Sequence, residues 1–336
     1  MLRGAVIGAG FWSNYQIAAW KEISEVELVA IYNRTIKKAE VVAQKFDIPK
    51  VYNSIEELIG KEELDFVDII TDVNTHSLFT RKAAEKGISV ICQKPMASSR
   101  KEARAMISIC EDNHVNLFIH ENFRWQAPIR ALKKALQSEV TGKPFKARVS
   151  FCSAFPVYSN QPFLKEQEHF IISDVGSHVL DICRFLFGEV KSLYCLTQQI
   201  KPDICGEDVA NMLLEMKSGV QCFVEISYAS ILEKESFPQT LALIECEKGT
   251  IHLSTDFELK IITKEEIKSE VIKPELYDWV DPAYSVVHSS IVDCNRNILN
   301  GLKGSGCETS GYDNYKTVQL VAAAYESALT GNVIHF

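Results

Sequence analysis

The first 120 residues alternate short apolar runs with stretches of helical periodicity, and this alternation limits the folds that the chain can adopt. Runs such as LDFVDIIT and ISVICQKP are typical of strands, whereas IKKAEVVAQKF and RKEARAMISICEDN are typical of helices. Repeated strand–helix–strand units with short connections form parallel sheets with right-handed crossovers. The pattern therefore predicts an α/β fold with a doubly wound parallel sheet over residues 1–123.

The pattern changes after about residue 125, where long strand-like runs become more frequent than helical ones. Runs such as VQCFVEISYAS and TLALIECEKGTIHLS contain or precede short turns that are typical of antiparallel hairpins. We therefore expect a second, α+β domain over residues 124–336 with a large, mostly antiparallel sheet. A final helix, NYKTVQLVAAAYESALTG, ends this domain, and its packing back onto the first domain is left open. A length of 336 residues also favours two domains.

Charge, hydropathy and cysteine spacing argue against several classes of partner. The formal net charge of −8 argues against nucleic acid and anionic membranes, which need a clustered basic surface. No apolar stretch reaches the roughly 20 residues that a membrane helix requires. The ten cysteines occur without a C-x-x-C pair, so neither a disulfide framework nor a structural zinc site is favoured. We expect a cytoplasmic protein without a metal.

The loop GAVIGAGFWSNYQ follows the first predicted strand and begins the first predicted helix. Gly8 and Gly10 match the first two positions of the dinucleotide-binding pattern G-x-G-x-x-G, which allow a tight turn and a close approach of the backbone to pyrophosphate. Ser13 stands where the third glycine is usual, and its hydroxyl can serve a phosphate or cap the helix. The context favours a Rossmann dinucleotide-binding loop over a plain structural turn.

The second strand ends in YNRT, where an NAD site usually has an acidic residue for the ribose hydroxyls. Asn33 can bond those hydroxyls without charge, and Arg34 can meet the 2′-phosphate of NADP or stack on adenine. The alternative is that Arg34 is an ordinary surface residue. The sequence therefore leaves NAD and NADP both open.

Three further side chains suit acid–base and electrostatic chemistry. Lys94 follows an apolar strand, so it lies at the carboxyl edge where doubly wound sheets bind ligands; the alternative is a surface lysine. Asp174 and His178 lie one helical turn apart if their helix begins near Asp174. A carboxylate beside an imidazole can orient a general base, although a helix cap with a buried histidine fits the spacing equally well. A metal site lacks a clear third ligand.

Together these motifs resemble the Gfo/Idh/MocA family of NAD(P)-dependent sugar and polyol oxidoreductases. TDVNTH (71–76) is similar to the family's T-P-P-x-T-H loop with both prolines replaced, and CQKP is similar to its E-K-P motif with Gln93 in place of glutamate. DVGSHVLD matches its D-x-G-x-H-x-x-D signature, and the closing helix is also similar. The stretch FWSNYQIAAWKEI and the tail are similar to the aldose (apiose-like) dehydrogenase members. The resemblance covers nearly the whole chain.

The resemblance implies a role for each matching residue. Lys94 would polarise the reacting oxygen, Asp174 would hold the substrate, and His178 would act as acid and base. Asn122 and Arg124 in HENFRW would line the substrate site. The residues implied in cofactor binding are Gly8, Gly10, Phe11, Trp12, Asn33, Arg34, Thr71, Asn74, His76 and Gln93. Ser13, Asp72 and Gln93 depart from the family pattern in or beside this set.

These observations predict an NAD(P)-dependent oxidoreductase that transfers a hydride between nicotinamide and a hydroxyl or carbonyl carbon of a sugar, a polyol or a related carbohydrate. An imidazole can accept the hydroxyl proton, and an ammonium group stabilises the developing alkoxide. The alternatives are an idle nicotinamide-binding sensor or scaffold, and an NAD-assisted glycosidase on the same fold. The resemblance also implies a homo-oligomer, either a dimer or a tetramer.

Overall fold

The computed structural model of the chain describes residues 1–159 and 161–336. The strands are β1 (Leu2–Ile7), β2 (Val26–Tyr32), β3 (Lys50–Tyr52), β4 (Phe66–Ile69), β5 (Ser89–Gln93), β6 (Leu117–His120), β7 (Pro144–Cys152), β8 (Val190–Gln198), β9 (Val209–Met216), β10 (Gln221–Ser227), β11 (Leu241–Cys246), β12 (Gly249–Leu253), β13 (Glu258–Thr263), β14 (Ile267–Val271) and β15 (Ile334–His335). The α-helices are α1 (Ser13–Lys21), α2 (Ile36–Phe46), α3 (Ile55–Lys61), α4 (His76–Ala84), α5 (Arg100–Asp112), α6 (Ala127–Gln137), α7 (Ser177–Phe187), α8 (Ser285–Leu302) and α9 (Gly311–Thr330).

The chain forms two compact units, and the first contains residues 1–122 and 276–318. Its six-stranded sheet has the order β3-β2-β1-β4-β5-β6, and every pair is parallel. Both faces of the sheet are covered, so strands such as β4 are buried at all four residues. The strand order reverses between β1 and β4, which is the switch point where sheets of this kind bind ligands.

The segment 276–318 is counted with the first unit, whereas the sequence pattern placed it in a domain running from 124 to 336. Its helix α8 packs against α1, where Ala19 forms a small core with Ile291 and Val292. The indole nitrogen of Trp279 donates a hydrogen bond of 2.9 Å to Glu22, also on this side of the sheet. No sequence pattern had marked α8 as a helix. The first unit is therefore built from two separate stretches of chain.

The second unit contains residues 123–275 and 319–336. Its sheet has the order β14-β13-β12-β11-β7-β10-β9-β8-β15, and the β7–β10 pair is parallel while the other pairs are antiparallel. Buried and more exposed residues alternate along β9, as expected for a sheet with one covered face. Helices α6 and α7 cover that face. The fold class predicted from the sequence is confirmed.

Helix α7 is preceded by a five-residue π turn, Ile172–Gly176, and a buried carboxylate holds the start of this turn. Glu207 accepts hydrogen bonds of 3.2 Å from the backbone N–H groups of Phe170 and Ile172. The hydroxyl of Tyr325 in α9 donates to Glu207 at 2.8 Å and accepts the N–H of Ser173 at 3.2 Å. These contacts satisfy N–H groups at the helix start that have no partner within the helix.

Removal of the Tyr325 hydroxyl is expected to weaken the second unit. Tyr325→Phe leaves the N–H of Ser173 without its acceptor and removes one donor from Glu207. An unmet buried donor costs about 1–3 kcal/mol, so the midpoint of thermal unfolding should fall by several degrees. Tyr312→Phe, which removes an exposed hydroxyl at the surface contact with Glu111, is the control and should leave the midpoint within about a degree. Equal midpoints for both variants would show that Tyr325 does not hold the turn.

Candidate active site

The turn after β1 has the backbone geometry that a phosphate-binding loop needs. Gly8 has a φ of +120°, and a Cβ atom there would lie 2.5 Å from the carbonyl oxygen of Ile70. Only glycine fits this bend, which brings the turn after β1 against the residue that follows β4. A Cβ on Gly10 would meet no atom within 4 Å, so the loop leaves open space on that side. Ser13, at the third glycine position, is buried and its hydroxyl donates to the carbonyl of Gly10 at 2.7 Å.

Asn33 connects this turn to the end of β2. Its side-chain oxygen accepts the N–H of Ala9 at 3.2 Å, and its side-chain nitrogen donates to the carbonyl of Thr35 at 2.9 Å. Arg34 is exposed next to it. Phe11 is 54% exposed and packs edge-on against Tyr15 of α1. The predicted cofactor residues of the first two strands therefore lie at one edge of the sheet.

The loop after β4 is closed by its own side chains. The carboxylate of Asp72 accepts the backbone N–H of Asn74 at 3.0 Å and its side-chain amide at 2.7 Å. The hydroxyl of Thr75 bonds that of Thr71 at 2.7 Å. The aspartate that replaces a family proline therefore accepts hydrogen bonds within its own turn.

His76 connects the loop after β4 with the turn after β5. One ring nitrogen, Nε2, lies 3.2 Å from the carbonyl oxygen of Thr71, and the other, Nδ1, lies 3.1 Å from that of Pro95. Burial lowers the pKa of His76, and the carbonyl contacts oppose that change. Since both nitrogens face backbone oxygens, the ring holds two loops of the predicted cofactor site in place.

Lys94 directly follows β5, and its backbone N–H begins a chain of buried hydrogen bonds. The N–H donates to Oε1 of Gln93 at 2.8 Å, and Nε2 of Gln93 donates to Oε1 of Gln16 at 2.8 Å. Nε2 of Gln16 donates in turn to the carboxylate of Asp68, at 2.7 and 2.9 Å. The indole of Trp20 donates to the same carboxylate at 2.8 Å. Gln93, Gln16, Asp68 and Trp20 are each no more than 8% exposed.

Asp68 is the most strongly perturbed carboxyl of this edge. Burial raises its pKa to about 7, and the hydrogen bonds from Trp20 and Gln16 oppose the rise. The two effects have different origins: removal from water disfavours the charge, whereas the donors favour it. Neither Asp68 nor Gln16 lies in a recognised motif, so neither was predicted from the sequence as part of the site. A charged residue in the middle of the apolar stretch FVDII was the signal that could have pointed to Asp68.

In the second unit, the predicted pair Asp174 and His178 spans the π turn and the start of α7. The sequence analysis expected ordinary α-helical spacing, but the wider turn changes the relation between the two side chains. A carboxylate oxygen of Asp174 lies 3.3 Å from the hydroxyl of Tyr228, which donates to it. The buried ring of His178 stacks on Phe123, with centroids 3.7 Å apart and planes 3° from parallel. Phe123 and Tyr228, which the sequence analysis did not single out, therefore set the surroundings of the predicted pair.

The two predicted substrate residues of HENFRW have buried partners. Arg124 forms a two-pronged ion pair with Asp181, with N–O distances of 2.8 and 2.6 Å. Asn122 donates its side-chain amide to the carbonyl of Val287 at 3.2 Å and to the hydroxyl of Ser290 at 2.7 Å. Both contacts are ones that hold chain segments in place, so a substrate role for either residue stays a prediction.

Residues 1–159 and 161–336 contain neither an arrangement typical of a metal site nor a helix typical of a membrane span. Within these ranges no group of three or more His, Cys, Asp or Glu side chains is arranged to hold a metal ion. None of the helices in the same ranges has the length and hydropathy to cross a bilayer.

Family models match most of the chain. Residues 2–121 match the model described as "Oxidoreductase family, NAD-binding Rossmann fold", and residues 129–252 match the "GFO/IDH/MocA C-terminal domain". The chain belongs to the Gfo/Idh/MocA family of oxidoreductases. The resemblance drawn from its motifs is therefore confirmed, as are the enzyme class and the expectation of a nicotinamide cofactor on a Rossmann fold.

Three similar proteins align with nearly the whole chain. A D-apiose dehydrogenase of Paraburkholderia graminis is 41% identical over 333 residues, which cover 99% of this chain and 89% of that protein. A D-apiose dehydrogenase of Rhizobium rhizogenes is 40% identical over 334 residues, which cover 99% and 97%. An oxidoreductase from Agrobacterium radiobacter, solved in complex with NAD+, L-tartaric acid and magnesium, has a TM-score of 0.97 at 40% identity and covers 99% of this chain and 98% of its own.

The first unit has the features expected of the NAD-binding domain of the Gfo/Idh/MocA family. The bend at Gly8 and the open space beside Gly10 lie where the N-terminus of α1 faces the switch point. Asn33 and Thr71 lie at the ends of the neighbouring strands, at the same edge. The positions that the sequence predicted for pyrophosphate and ribose are therefore close together in the fold.

The buried carboxyl of Asp68 should make the stability of this family member depend on pH. Its pKa of about 7 lies above the value near 4 of an unfolded chain, so between these values the folded state binds the additional proton. The free energy of unfolding should therefore fall as pH rises from about 4 to about 7, by up to about 4 kcal/mol from this group. Asp68→Asn lacks this titration. Urea unfolding gives the free energy of unfolding of both proteins across that range. The value for the wild type minus the value for Asp68→Asn should fall as pH rises, and a constant difference would contradict the assignment.

Proposed function

We propose that this protein is a sugar dehydrogenase that oxidises D-apiose, or an aldose of similar size, with NAD+. The observation that carries this proposal is the 40–41% identity to two D-apiose dehydrogenases over 99% of the chain. The similar structure solved with NAD+ supports the choice of cofactor. Arg34 is exposed and free to turn toward a 2′-phosphate, so NADP+ is the comparison in the assay.

In this proposal the residues of the first unit hold the cofactor and polarise the reacting oxygen. Gly8 and Gly10 let the backbone approach the pyrophosphate, with Phe11 and Trp12 beside it at the start of α1. The remaining proposed cofactor contacts are Asn33, Arg34, Thr71, Asn74, His76 and Gln93. His76 contributes by fixing the two loops that its ring connects. Lys94, at the carboxyl end of β5, places an ammonium group where negative charge develops on oxygen.

The residues of the second unit supply the proton transfer and orient the sugar. When bound, the nicotinamide supplies the hydride acceptor. His178 takes the hydroxyl proton as the alcohol becomes a carbonyl, and returns a proton in the reverse reaction. The parallel stacking on Phe123 restricts the ring to one plane, so its nitrogens keep a fixed direction. Asp174 accepts hydrogen bonds from sugar hydroxyls, and Tyr228 holds its carboxylate.

Substitution of the two proposed catalytic side chains tests the proposal directly. Lys94→Ala and His178→Ala should each lower kcat for D-apiose by about 100-fold or more, because each removes a charge or proton acceptor used in the transition state. The dissociation constant for NAD+, measured by calorimetry, should change little. The assay follows NADH absorbance with NAD+ and with NADP+, and Arg148→Ala on the open side of the second sheet is the control.

The same assay separates the alternative functions. Binding of NAD+ without NADH formation from D-apiose or from a panel of other aldoses and polyols would favour a sensor or scaffold. Release of a sugar from a glycoside without net NADH would favour an NAD-assisted glycosidase. Undiminished turnover in Lys94→Ala or His178→Ala would contradict the roles given to these residues.

We also infer that the protein forms a homo-oligomer through the open face of its nine-stranded sheet. Tyr194, Leu213 and Phe223 are paired directly across β8, β9 and β10, and Leu196 lies two residues from Tyr194 on the same face. Leu213 and Phe223 are each 43% exposed and Leu196 is 55% exposed. A continuous row of large apolar side chains on an open sheet face is typical of a subunit interface.

A cytoplasmic location fits the ten cysteines, which are all free thiols.

Light scattering during size-exclusion chromatography tests the assembly. The mass should be that of a dimer or tetramer of the 37.8 kDa chain. Leu213→Arg with Phe223→Glu should shift it to the mass of one chain, because the pair places charges in a face that association would bury. A matched change at an exposed position outside the face, Leu329→Arg, should leave the mass unaltered. A monomeric wild-type protein would overturn the inference.

A further inference from the structure

The hydrogen-bond chain behind Lys94 has only one possible direction. A backbone N–H can only donate, so the atom of Gln93 that faces Lys94 must be its oxygen. The amide nitrogen of Gln93 must then donate to Gln16, which again presents its oxygen. The nitrogen of Gln16 is therefore left to donate to the next group in the chain.

That next group must accept every hydrogen bond that it receives. Asp68 takes hydrogen bonds from the amide of Gln16 and from the indole of Trp20, and an indole N–H is a donor only. A carboxylate satisfies both donors. Above the pKa of Asp68, which is about 7, the order of donors and acceptors thus runs without a break from the N–H of Lys94 to a single negative charge, buried in β4.

The chain has room for one carboxylate and for no second one. A glutamate at position 93 beside Asp68 would place carboxylates at both ends of the Gln16 amide, whose oxygen must face one of them. The family motif has glutamate at this position, and this chain has glutamine. The departure is explained if the buried charge lies at Asp68 instead of at residue 93.

We propose that Asp68 and Gln16 are positioning residues that fix the backbone at Lys94 through Gln93, and that Gln93 is matched to the carboxylate of Asp68. The inference rests on the role proposed for Lys94. The bond from Lys94 to the side chain of the preceding residue fixes the direction in which the chain leaves β5. The direction of the backbone at Lys94 determines where its ammonium group lies. A displacement of about 1 Å in such a group lowers the rate of reaction about 100-fold.

Exchange of the charge between the two positions tests the proposal. In Asp68→Asn, one donor of the chain meets another donor whichever way the amides turn. In Gln93→Glu, the oxygen of Gln16 faces a carboxylate as long as Asp68 is ionised, so both measurements are made at pH 8.5, above the pKa of Asp68 of about 7. In the double variant the amide of Gln16 reverses and donates to the glutamate, while the new asparagine donates to Gln16 and accepts from Trp20. Every group then has a partner again, with the charge moved to position 93.

Hydrogen exchange at Lys94, followed by mass spectrometry on the protein alone, is the first measurement. Pro95 has no amide hydrogen, so a peptide that ends at this proline reports on Lys94 without a signal from the following residue. Exchange at Lys94 should become about tenfold faster or more in each single variant and return toward the wild-type rate in the double variant. Unchanged exchange in both single variants would overturn the proposal, whatever the enzyme's substrate.

The second measurement is kcat with saturating NAD+ and D-apiose at pH 8.5. Each single variant should lose about 10- to 100-fold, and the double variant should regain most of that loss. Glu62→Gln is the matched control: it exchanges a buried carboxylate that Tyr52 and Lys50 contact, and it should reduce the unfolding midpoint without changing kcat. Circular dichroism and thermal unfolding establish the folded fraction of each variant.

The outcomes separate this inference from the proposed function. A wild-type protein without turnover would refute D-apiose oxidation, and hydrogen exchange would then decide the link between Asp68 and Lys94 by itself. An inactive Lys94→Ala together with full kcat in both single variants would show that the chain supports the fold but does not position Lys94. Losses in both single variants without recovery in the double variant would refute the matching of Gln93 to Asp68.

Discussion

Parallel strands must all end at the same edge of their sheet, and the candidate cofactor site follows from this constraint. Because every strand of the first unit is parallel, the loops after β1, β2, β4 and β5 emerge side by side. Residue 8 must be glycine, because an added Cβ would lie 2.5 Å from the carbonyl oxygen of Ile70. The side chains of Asn33 and His76 then hold neighbouring loops together. Because these contacts restrict the conformations of the loops, the loops together form one surface.

In the second unit, the backbone that needs partners from elsewhere in the chain is the start of α7. This helix begins on a π turn, and such turns leave backbone groups that need partners from elsewhere in the chain. Glu207 and Tyr325, from a strand-flanking loop and from the last helix, supply these partners. In both units a buried carboxylate is thus connected by hydrogen bonds, directly or through other side chains, to the backbone next to a residue with a proposed catalytic role. In each case the carboxylate is far from that residue in sequence.

Much of this architecture could be predicted from the sequence, because local pattern carries it. The helix IKKAEVVAQKF begins and ends where the pattern placed it, and the buried run containing Asp68 is the central strand β4. Helix α8 escaped prediction because its buried side includes polar residues such as His288 and Asn295, which break an apolar stripe. For the site, motifs pointed to Lys94 and His178, but the partners of these residues lie in other segments and follow only from the tertiary fold.

The division of the first unit into residues 1–122 and 276–318 has a consequence for the order in which the protein can fold on the ribosome. The six-stranded sheet is complete once β6 has been synthesised, yet α8, which covers Ala19 of α1, lies far later in the chain. Throughout synthesis of the second unit, the nascent first unit therefore presents an uncovered apolar surface beside the loop that contains Gly8. Chaperones that recognise exposed apolar surface can bind α1 during the whole of this interval.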